Sequence, residues 1–351
     1  MKKWYVIGVM SGTSLDGLDI AYCSFFKKNK MWKYKIIHAE TLKYNEKIRK
    51  ILKNAHKLNA KNFLVLHKKY GVFIGKKIKE FIKNKNIKKV DIISSHGHTI
   101  FHEPIKRFNF QLGEGAFIAA TTNITTVSDF RTLDIAFGGQ GAPLVPIGDH
   151  LLFYNYKYCL NLGGFCNVSY VFNKKRIAFD IAPCNFLLNF YSSKINCEYD
   201  HNGNLSKSGI VIQQLLTELN NIEYYKLPPP KSLAREMVEK YYIPIITKYE
   251  TFPIPDILAT LVEHISYQIS KILIDGNTLV TGGGAFNEFL ISKIQEKTNS
   301  KLVIPDEKLI KFKEALIFAF LGLLRIKNKL NTLKSVTGSK KNLSAGVIYK
   351  V

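Results

Sequence analysis

Apolar residues fall first into short alternating runs. Trp4-Tyr5-Val6-Ile7, Ile20–Phe26 and the segment from Trp32 predict strands over residues 4–10, 18–26 and 32–39. The period then changes. Ile48, Ile51, Leu52, Phe63, Leu64, Leu66, Ile74, Ile78, Phe81 and Ile82 fall at helical spacing, so 45–85 reads as largely helical. Val90–Ser94 reads as a buried strand, with Ser95–Pro104 as a loop leaving its end. Ala116–Ala120 predicts a short helix and Thr125–Val127 a strand. Gly138 to Pro146 predicts a shaped loop, because glycine and proline punctuate it.

The strand pattern then returns. Residues 158–162, 168–172 and 176–179 predict strands, with Gly163-Gly164 between the first two and Asp180 ending the third. The order strand, Gly turn, strand, strand repeats that of residues 4–40 and implies two related α/β lobes. Residues 206–220, 232–242, 256–274, 286–297 and 314–327 read as helices, and Thr278–Val280 as a strand feeding Gly282-Gly283-Gly284.

A length of 351 residues is long for one core and favours two lobes. The net charge of +24 invites a nucleic-acid reading. Its lysines are scattered beside Asn and Ile, without an interleaved aromatic motif or a Cys/His finger, so no nucleic-acid partner is expected. The five cysteines fit no metal-ligand spacing and read as reduced thiols. The apolar run Ala315–Leu324 is too short to span a bilayer, and no secretory leader pattern is seen. The expectation is a soluble cytoplasmic protein with no membrane partner.

Three glycines, three hydroxyls and two carboxylates crowd Gly8–Asp19, between two strands. Such a turn suits a phosphate cradle, with Asp16 and Asp19 near a hydrated cation; an ordinary hairpin fits the same residues. Gly282–Gly284 suits close approach of a base or phosphate, or simply a tight strand-to-helix turn. Asp180 reads as a general base or as a turn or capping aspartate. Arg131 suits a carboxylate or phosphate, or a surface ion pair. His96, His98 and His102 suit substrate hydrogen bonding or structure better than zinc. Cys184 has no nearby His to make it a nucleophile.

Together these segments resemble the anhydro-N-acetylmuramic acid kinase family, of the actin-like sugar kinase superfamily. The resemblance runs from Gly8 to about Val347. It is carried by Gly8–Asp19, Ser95–Pro104, Asp129-Phe130-Arg131 with Gly138–Pro146, Asn161–Asn167, Phe179–Asn185, Pro229-Pro230-Lys231-Ser232 with Arg235-Glu236, Gly282–Asn287, Glu314 and Val336-Thr337-Gly338. It implies a two-lobed α/β fold of duplicated RNase-H-like halves around a central cleft. The expected lobes are 1–127 completed by 318–351, and 128–317. It also implies ATP, Mg2+, a small anhydro-amino-sugar substrate and a homodimer. The implied reaction opens 1,6-anhydro-N-acetylmuramic acid with water and phosphorylates O6, in cell-wall recycling. By the resemblance, Asp180 is the base and Gly12, Thr13, Ser14, Leu15, Asp16, Gly17, Leu18 and Asp19 cradle the phosphates. Asp16 or Asp19 lies near the metal, Gly282, Gly283 and Gly284 approach the nucleotide, and His96, Arg131 and Glu314 face the sugar. The chain departs from the family at Ala182 and Cys184, where glycines are usual, at Asn189 for an aspartate and at His98 for a glutamine. The alternatives are a relative that binds nucleotide but turns over poorly, or a kinase for another sugar.

Overall fold

The structure, a computed structural model, describes residues 2–12 and 15–351. Its strands are β1 (Trp4–Ser11), β2 (Gly17–Lys28), β3 (Met31–Lys43), β4 (Ile92–Glu103), β5 (Phe108–Leu112), β6 (Thr126–Ser128), β7 (Tyr158–Leu162), β8 (Phe165–Phe172), β9 (Lys175–Pro183), β10 (Asn277–Thr281), β11 (Lys301–Val303) and β12 (Val347–Tyr349). The chain divides into two compact units, Met1–Leu152 with Phe312–Val351, and Phe153–Lys311.

In the first unit the sheet order is β12-β6-β4-β1-β2-β3, with β5 paired to β4. β1, β2 and β3 form an antiparallel meander, while β4 and β6 run parallel to β1. The second unit repeats this plan. β7, β8 and β9 form the meander, and β10 and β11 run parallel to β7. Numbered within each unit, the shared order is 3-2-1-4-5 with only strand 2 reversed, which is the RNase-H-like topology. The duplication expected from the repeated Gly-turn pattern is therefore present at the level of the sheets.

Alternation in β1 sets the two faces of the first sheet. Ile7 and Val9 pack in a core with Leu18, Ile20 and Ile93, closed by Tyr70, Ile74, Ile78 and Phe81 of the helix Ala60–Asn84. The opposite face of β1 presents Gly8 to the helix Glu307–Ile326. A Cβ at Gly8 would stand 2.8 Å from the Ala319 Cβ, so only glycine lets this helix lie so close. In the second unit Leu160, Leu162, Val280, Phe179 and Ile181 share a core with Leu258, Leu261, Val262 and Ile265 of the helix Ile254–Ser270.

Three expectations need correction. Ser95–Pro104 is not a loop. Most of it continues β4 to Glu103, because β5 supplies antiparallel partners from His98↔Leu112 to Glu103↔Phe108. β9 does not end at Asp180 but runs to Pro183, with a bulge between the pairs Asn167↔Asp180 and Cys166↔Ala182. The units also part at 152/153 and 311/312, not at 127/128 and 317/318. Segment 128–152 is tied to the C-terminal segment: the Gln140 N–H donates to the Thr337 carbonyl (2.7 Å), and Thr337 Oγ1 donates to Asp134 Oδ1 (2.8 Å).

Candidate active site

The hairpin between β1 and β2 closes at Ser11↔Leu18, so Gly17, Leu18 and Asp19 are strand residues. The Leu18 side chain is fully buried in the core. Gly17 is glycine because a Cβ there would stand 2.6 Å from the Leu42 carbonyl oxygen of β3, a packing reason and not a ligand reason. Of the turn itself, Gly12 and Leu15 are joined by a Leu15 N–H to Gly12 carbonyl bond of 3.3 Å. Thr13 and Ser14 lie outside the described residues. Asp16 is exposed, and its backbone carbonyl accepts the Tyr44 N–H. Asp19 is half-buried and accepts Thr41 Oγ1 at 2.6 Å. Burial raises the Asp19 carboxyl above its ordinary pKa, the Thr41 bond opposes this, and the Asp16 charge adds to it. Two mutually repelling carboxylates beside a turn are a donor set that fits Mg2+, which binds through one or two carboxylates completed by water and phosphate oxygens.

His96 and Arg131 meet in the first unit. Arg131 Nε donates to His96 Nε2 at 2.9 Å, so the His96 proton sits on Nδ1 and reaches the Gly97 carbonyl at 3.0 Å. Burial, then the Arg131 charge, push His96 well below its ordinary pKa and keep it neutral. Arg131 Nη1 donates to the Gly141 carbonyl at 2.7 Å, and the Gly141 N–H donates to buried Asp134 Oδ2 at 2.9 Å. The Gly138–Pro146 loop thus braces the guanidinium. Desolvation draws Arg131 down to about 10, against the pull of Glu314 and Asp134. Glu314 keeps solvent access, yet the atoms crowded around it raise its carboxyl; Arg131 opposes and Asp19 adds to the rise. The unit therefore brings together three of the predicted groups, His96, Arg131 and Glu314, with Asp19 in the same field. His98 adds to the lowering of His96, but its own hydrogen bond goes elsewhere. It bonds Ser11 Oγ at 3.0 Å beside Tyr44 and Tyr70, and burial lowers it to about 4.

Asp180 belongs to the second unit, where a loop 44 to 53 residues further on grips it. The Leu233 N–H donates to Asp180 Oδ2 at 2.9 Å, Tyr224 Oη to the Asp180 carbonyl at 2.6 Å, and the Asp180 N–H to the Lys231 carbonyl at 3.1 Å. Lys231 Nζ donates to the Tyr224 carbonyl at 3.1 Å and stands over the Tyr224 ring. Oδ2 is anchored, leaving Oδ1 without a hydrogen-bond partner among the described residues. Burial raises the carboxyl, and the Leu233 N–H partly offsets the rise. Sequence reasoning missed Tyr224 and the Leu233 amide; the Pro-rich run ending in Lys231 was the available signal.

The glycine loops of this unit divide by role. A Cβ at Gly282 would stand 2.7 Å from Asn161 Oδ1 and the Leu162 carbonyl, and one at Gly284 2.7 Å from the Leu162 Cβ, so packing against the end of β7 demands both. Gly283 is exposed, its nearest neighbour would be Asn185 Nδ2 at 3.6 Å, and Gly164 has open space around it. Gly283 and Gly164 therefore leave backbone open to close approach, and Gly164 was not among the predicted contacts. Ala182 and Cys184, where the resemblance implies glycine, turn fully into the core, and Asn189 is exposed. Burial pushes the Cys184 thiol up to about 12, which removes it as a nucleophile.

A profile of the anhydro-N-acetylmuramic acid kinase family matches residues 4–351. The chain is similar to the anhydro-N-acetylmuramic acid kinase of Francisella tularensis subsp. novicida (strain U112), at 34% identity over 98% of each chain. It is similar to that of Bacillus cereus (strain Q1) at 32% identity, over 97% of this chain and 98% of the other. Among solved structures it overlays on component A of the Acidaminococcus fermentans (R)-2-hydroxyglutaryl-CoA dehydratase with a TM-score of 0.47 and 12% identity. That overlay covers 91% of this chain and 97% of the other, a likeness too loose to argue from. Over essentially its whole length, the chain belongs to the anhydro-N-acetylmuramic acid kinase family.

Proposed function

We propose that this chain uses ATP and Mg2+ to convert 1,6-anhydro-N-acetylmuramic acid into N-acetylmuramic acid 6-phosphate and ADP. The observation that carries the mechanism is Asp180, with Oδ2 held by the Leu233 N–H and Oδ1 without a hydrogen-bond partner among the described residues. Water attacks the anomeric carbon and gives its proton to Oδ1, as a carboxylate base does in glycoside hydrolysis. The C1–O6 bond breaks. The departing O6 becomes the nucleophile for the γ-phosphorus, so no separate acid has to protonate it. Phosphoryl transfer then depends chiefly on position and charge neutralisation.

The other residues fall into roles around that step. Arg131 spends Nε on His96 and one Nη1 proton on Gly141, so three of its five N–H donors remain for the substrate carboxylate. Glu314 and His96 are the further sugar-side groups. Gly12, Leu15 and Asp16 would lie along the phosphates, with Asp16 and Asp19 on the Mg2+ side, and Gly164 and Gly283 would admit the nucleotide. Bound Mg2+ would neutralise charge developing on the transferred phosphoryl group. Use of ATP places the reaction in the cytoplasm, and no helix among the described residues is long and apolar enough to cross a membrane.

The test is incubation with magnesium-ATP and 1,6-anhydro-N-acetylmuramic acid, following ADP and the sugar by mass spectrometry. Sugar-dependent ADP release with a product heavier by one phosphate and one water is expected. A phosphorylated sugar lacking the water, or no turnover in a folded sample that binds ATP, overturns the reading.

A further inference from the structure

The loop that grips Asp180 has little packing of its own. Along segment 226–241 only Leu233 and Val238 are buried, and no residue of it belongs to a strand. The segment leaves the fold beside Tyr225 and returns through one π-helical turn, Val238–Tyr242, a form frequently found at functional sites. At that neck Tyr242 Oη donates to Tyr225 Oη at 2.8 Å, and Tyr225 Oη stands 2.7 Å from His264 Nε2. A loop whose ends meet in this way is an Ω-loop. We propose that Tyr225, Tyr242 and His264 are positioning residues for the catalytic base, locking the neck of this loop so that the Leu233 N–H stays on Asp180 Oδ2. The inference rests on the reading of Asp180 as the base of an anhydro-sugar kinase.

The bonds at the neck have one consistent direction. Asn220 Oδ1 accepts Gln268 Nε2 at 2.8 Å and can only accept again, so His264 Nδ1, also 2.8 Å away, carries the proton. Nε2 is then an acceptor, Tyr225 donates to it, and Tyr242 donates to Tyr225. Tyr242 and His264 are fully buried. Burial, with the Lys271 charge adding to it, lowers His264 to about 3, so it stays a neutral acceptor at neutral pH. Asn220 ends the helix Gln213–Asn220, and His264 and Gln268 lie on Ile254–Ser270, the helix at the centre of the core. The neck is tied to the rigid part of the unit. The two tyrosines before the loop divide the work. Tyr224 and Tyr225 are consecutive, their rings 82° apart, and one hydroxyl reaches the Asp180 carbonyl while the other reaches His264. Without the Tyr225 hydroxyl, His264 Nε2 and Tyr242 Oη lose their shared partner in the core, which favours opening of the neck. An open loop withdraws the Leu233 N–H, the group that opposes the rise of the Asp180 pKa. The titratable groups packed around Asp180 are Tyr224, Cys166 and Lys231; burial raises the first two and lowers the third from its basic value. A shift of the acid limb in a neck variant is therefore a shift of Asp180.

The experiment measures kcat, KM and the pH profile of sugar-dependent ADP release, with hydrogen exchange at the Leu233 amide. Tyr225→Phe keeps the ring and removes the hydroxyl. It is expected to lower kcat by about tenfold or more, to move the acid limb of kcat/KM to higher pH, and to leave KM for ATP unchanged. Its Leu233 amide is expected to exchange about tenfold faster than in wild type. His264→Gln keeps an acceptor for Tyr225 and is expected to lose less activity than His264→Leu. Wild-type kcat with an unmoved acid limb in folded Tyr225→Phe overturns the proposal, as does an equal loss in the two His264 variants. A wild-type Leu233 amide that exchanges as fast as an unstructured loop overturns it whether or not a variant folds. Absence of turnover by wild type counts against the kinase reading instead, and amide exchange in wild type and Tyr225→Phe then still decides whether the neck holds the loop.

Discussion

Replacing Asp180 by Asn separates what this carboxylate does for the reaction from what it does for the fold. Asn is nearly isosteric, and its Oδ1 can accept the Leu233 N–H that now meets Asp180 Oδ2 at 2.9 Å. It cannot take a proton from water. General-base assistance is worth about 10²–10⁴ in rate, or roughly 3–5 kcal/mol of barrier. The effect on stability has the opposite sign. Burial raises the folded-state pKa of Asp180, so the folded protein disfavours the charged form. That penalty is absent below the unfolded carboxylate pKa, grows as pH rises through the folded value and is complete above it. Neutral Asn carries no such penalty. At neutral pH the variant is therefore expected to melt at or above the wild-type temperature, and the advantage to vanish below about pH 4. Asp180→Ala is the counterpart. It leaves the Leu233 N–H buried without its acceptor, at about 1–3 kcal/mol, with each kcal/mol lowering Tm by about 2–4 °C in a unit of this size. The assays are ADP release with product mass, thermal melting across pH, and calorimetric ATP affinity, which neither variant is expected to change. Turnover by Asp180→Asn within tenfold of wild type would refute the base assignment. A melting loss as large as that of Asp180→Ala would refute the Leu233 anchor.

Three further outcomes are expected. The acid limb of kcat/KM should lie above the ordinary carboxylate range, because Asp180 must be ionised to act and burial raises its pKa; a limb at the ordinary value would contradict that burial effect. Asp19→Asn should raise the Mg2+ concentration needed for half-maximal activity severalfold with less effect on the sugar KM, and an unchanged Mg2+ titration would remove Asp19 from the metal side. Gly8→Ala should cost about 1–3 kcal/mol or more, because its methyl would collide with the Ala315 backbone carbonyl and stand 2.8 Å from the Ala319 Cβ across the β1–helix contact; denaturant unfolding reads this, and a neutral effect would show that the helix can shift.

Much of the plan was legible in local sequence. Periodicity located the two strand meanders and the main helices, since a side chain's alternation between core and solvent is a property of neighbouring residues. The glycine clusters marked the turns, and the aspartate at position 180 stood out as a carboxylate at the end of a strand, although the strand in fact continues past it to Pro183. Local pattern could not assign causes to the glycines. Gly17, Gly282 and Gly284 are required by a neighbouring strand's carbonyls or side chains, whereas Gly164 and Gly283 face open space, and both kinds look alike in sequence.

Contacts between distant segments were decided only by tertiary structure. Segment 95–104 is polar enough to read as a loop, and it becomes a strand because 108–112 satisfies its backbone hydrogen bonds. The boundary between the units follows from Asp134 bonding Thr337, 203 residues away. The same is true of chemistry: His96 is held neutral because burial and Arg131, 35 residues on, disfavour its charge. Residue type and spacing determined which groups the chain carries. Burial and long-range hydrogen bonds determined which of those groups are charged, anchored or free to react, because desolvation and partner geometry exist only once the chain has closed around them.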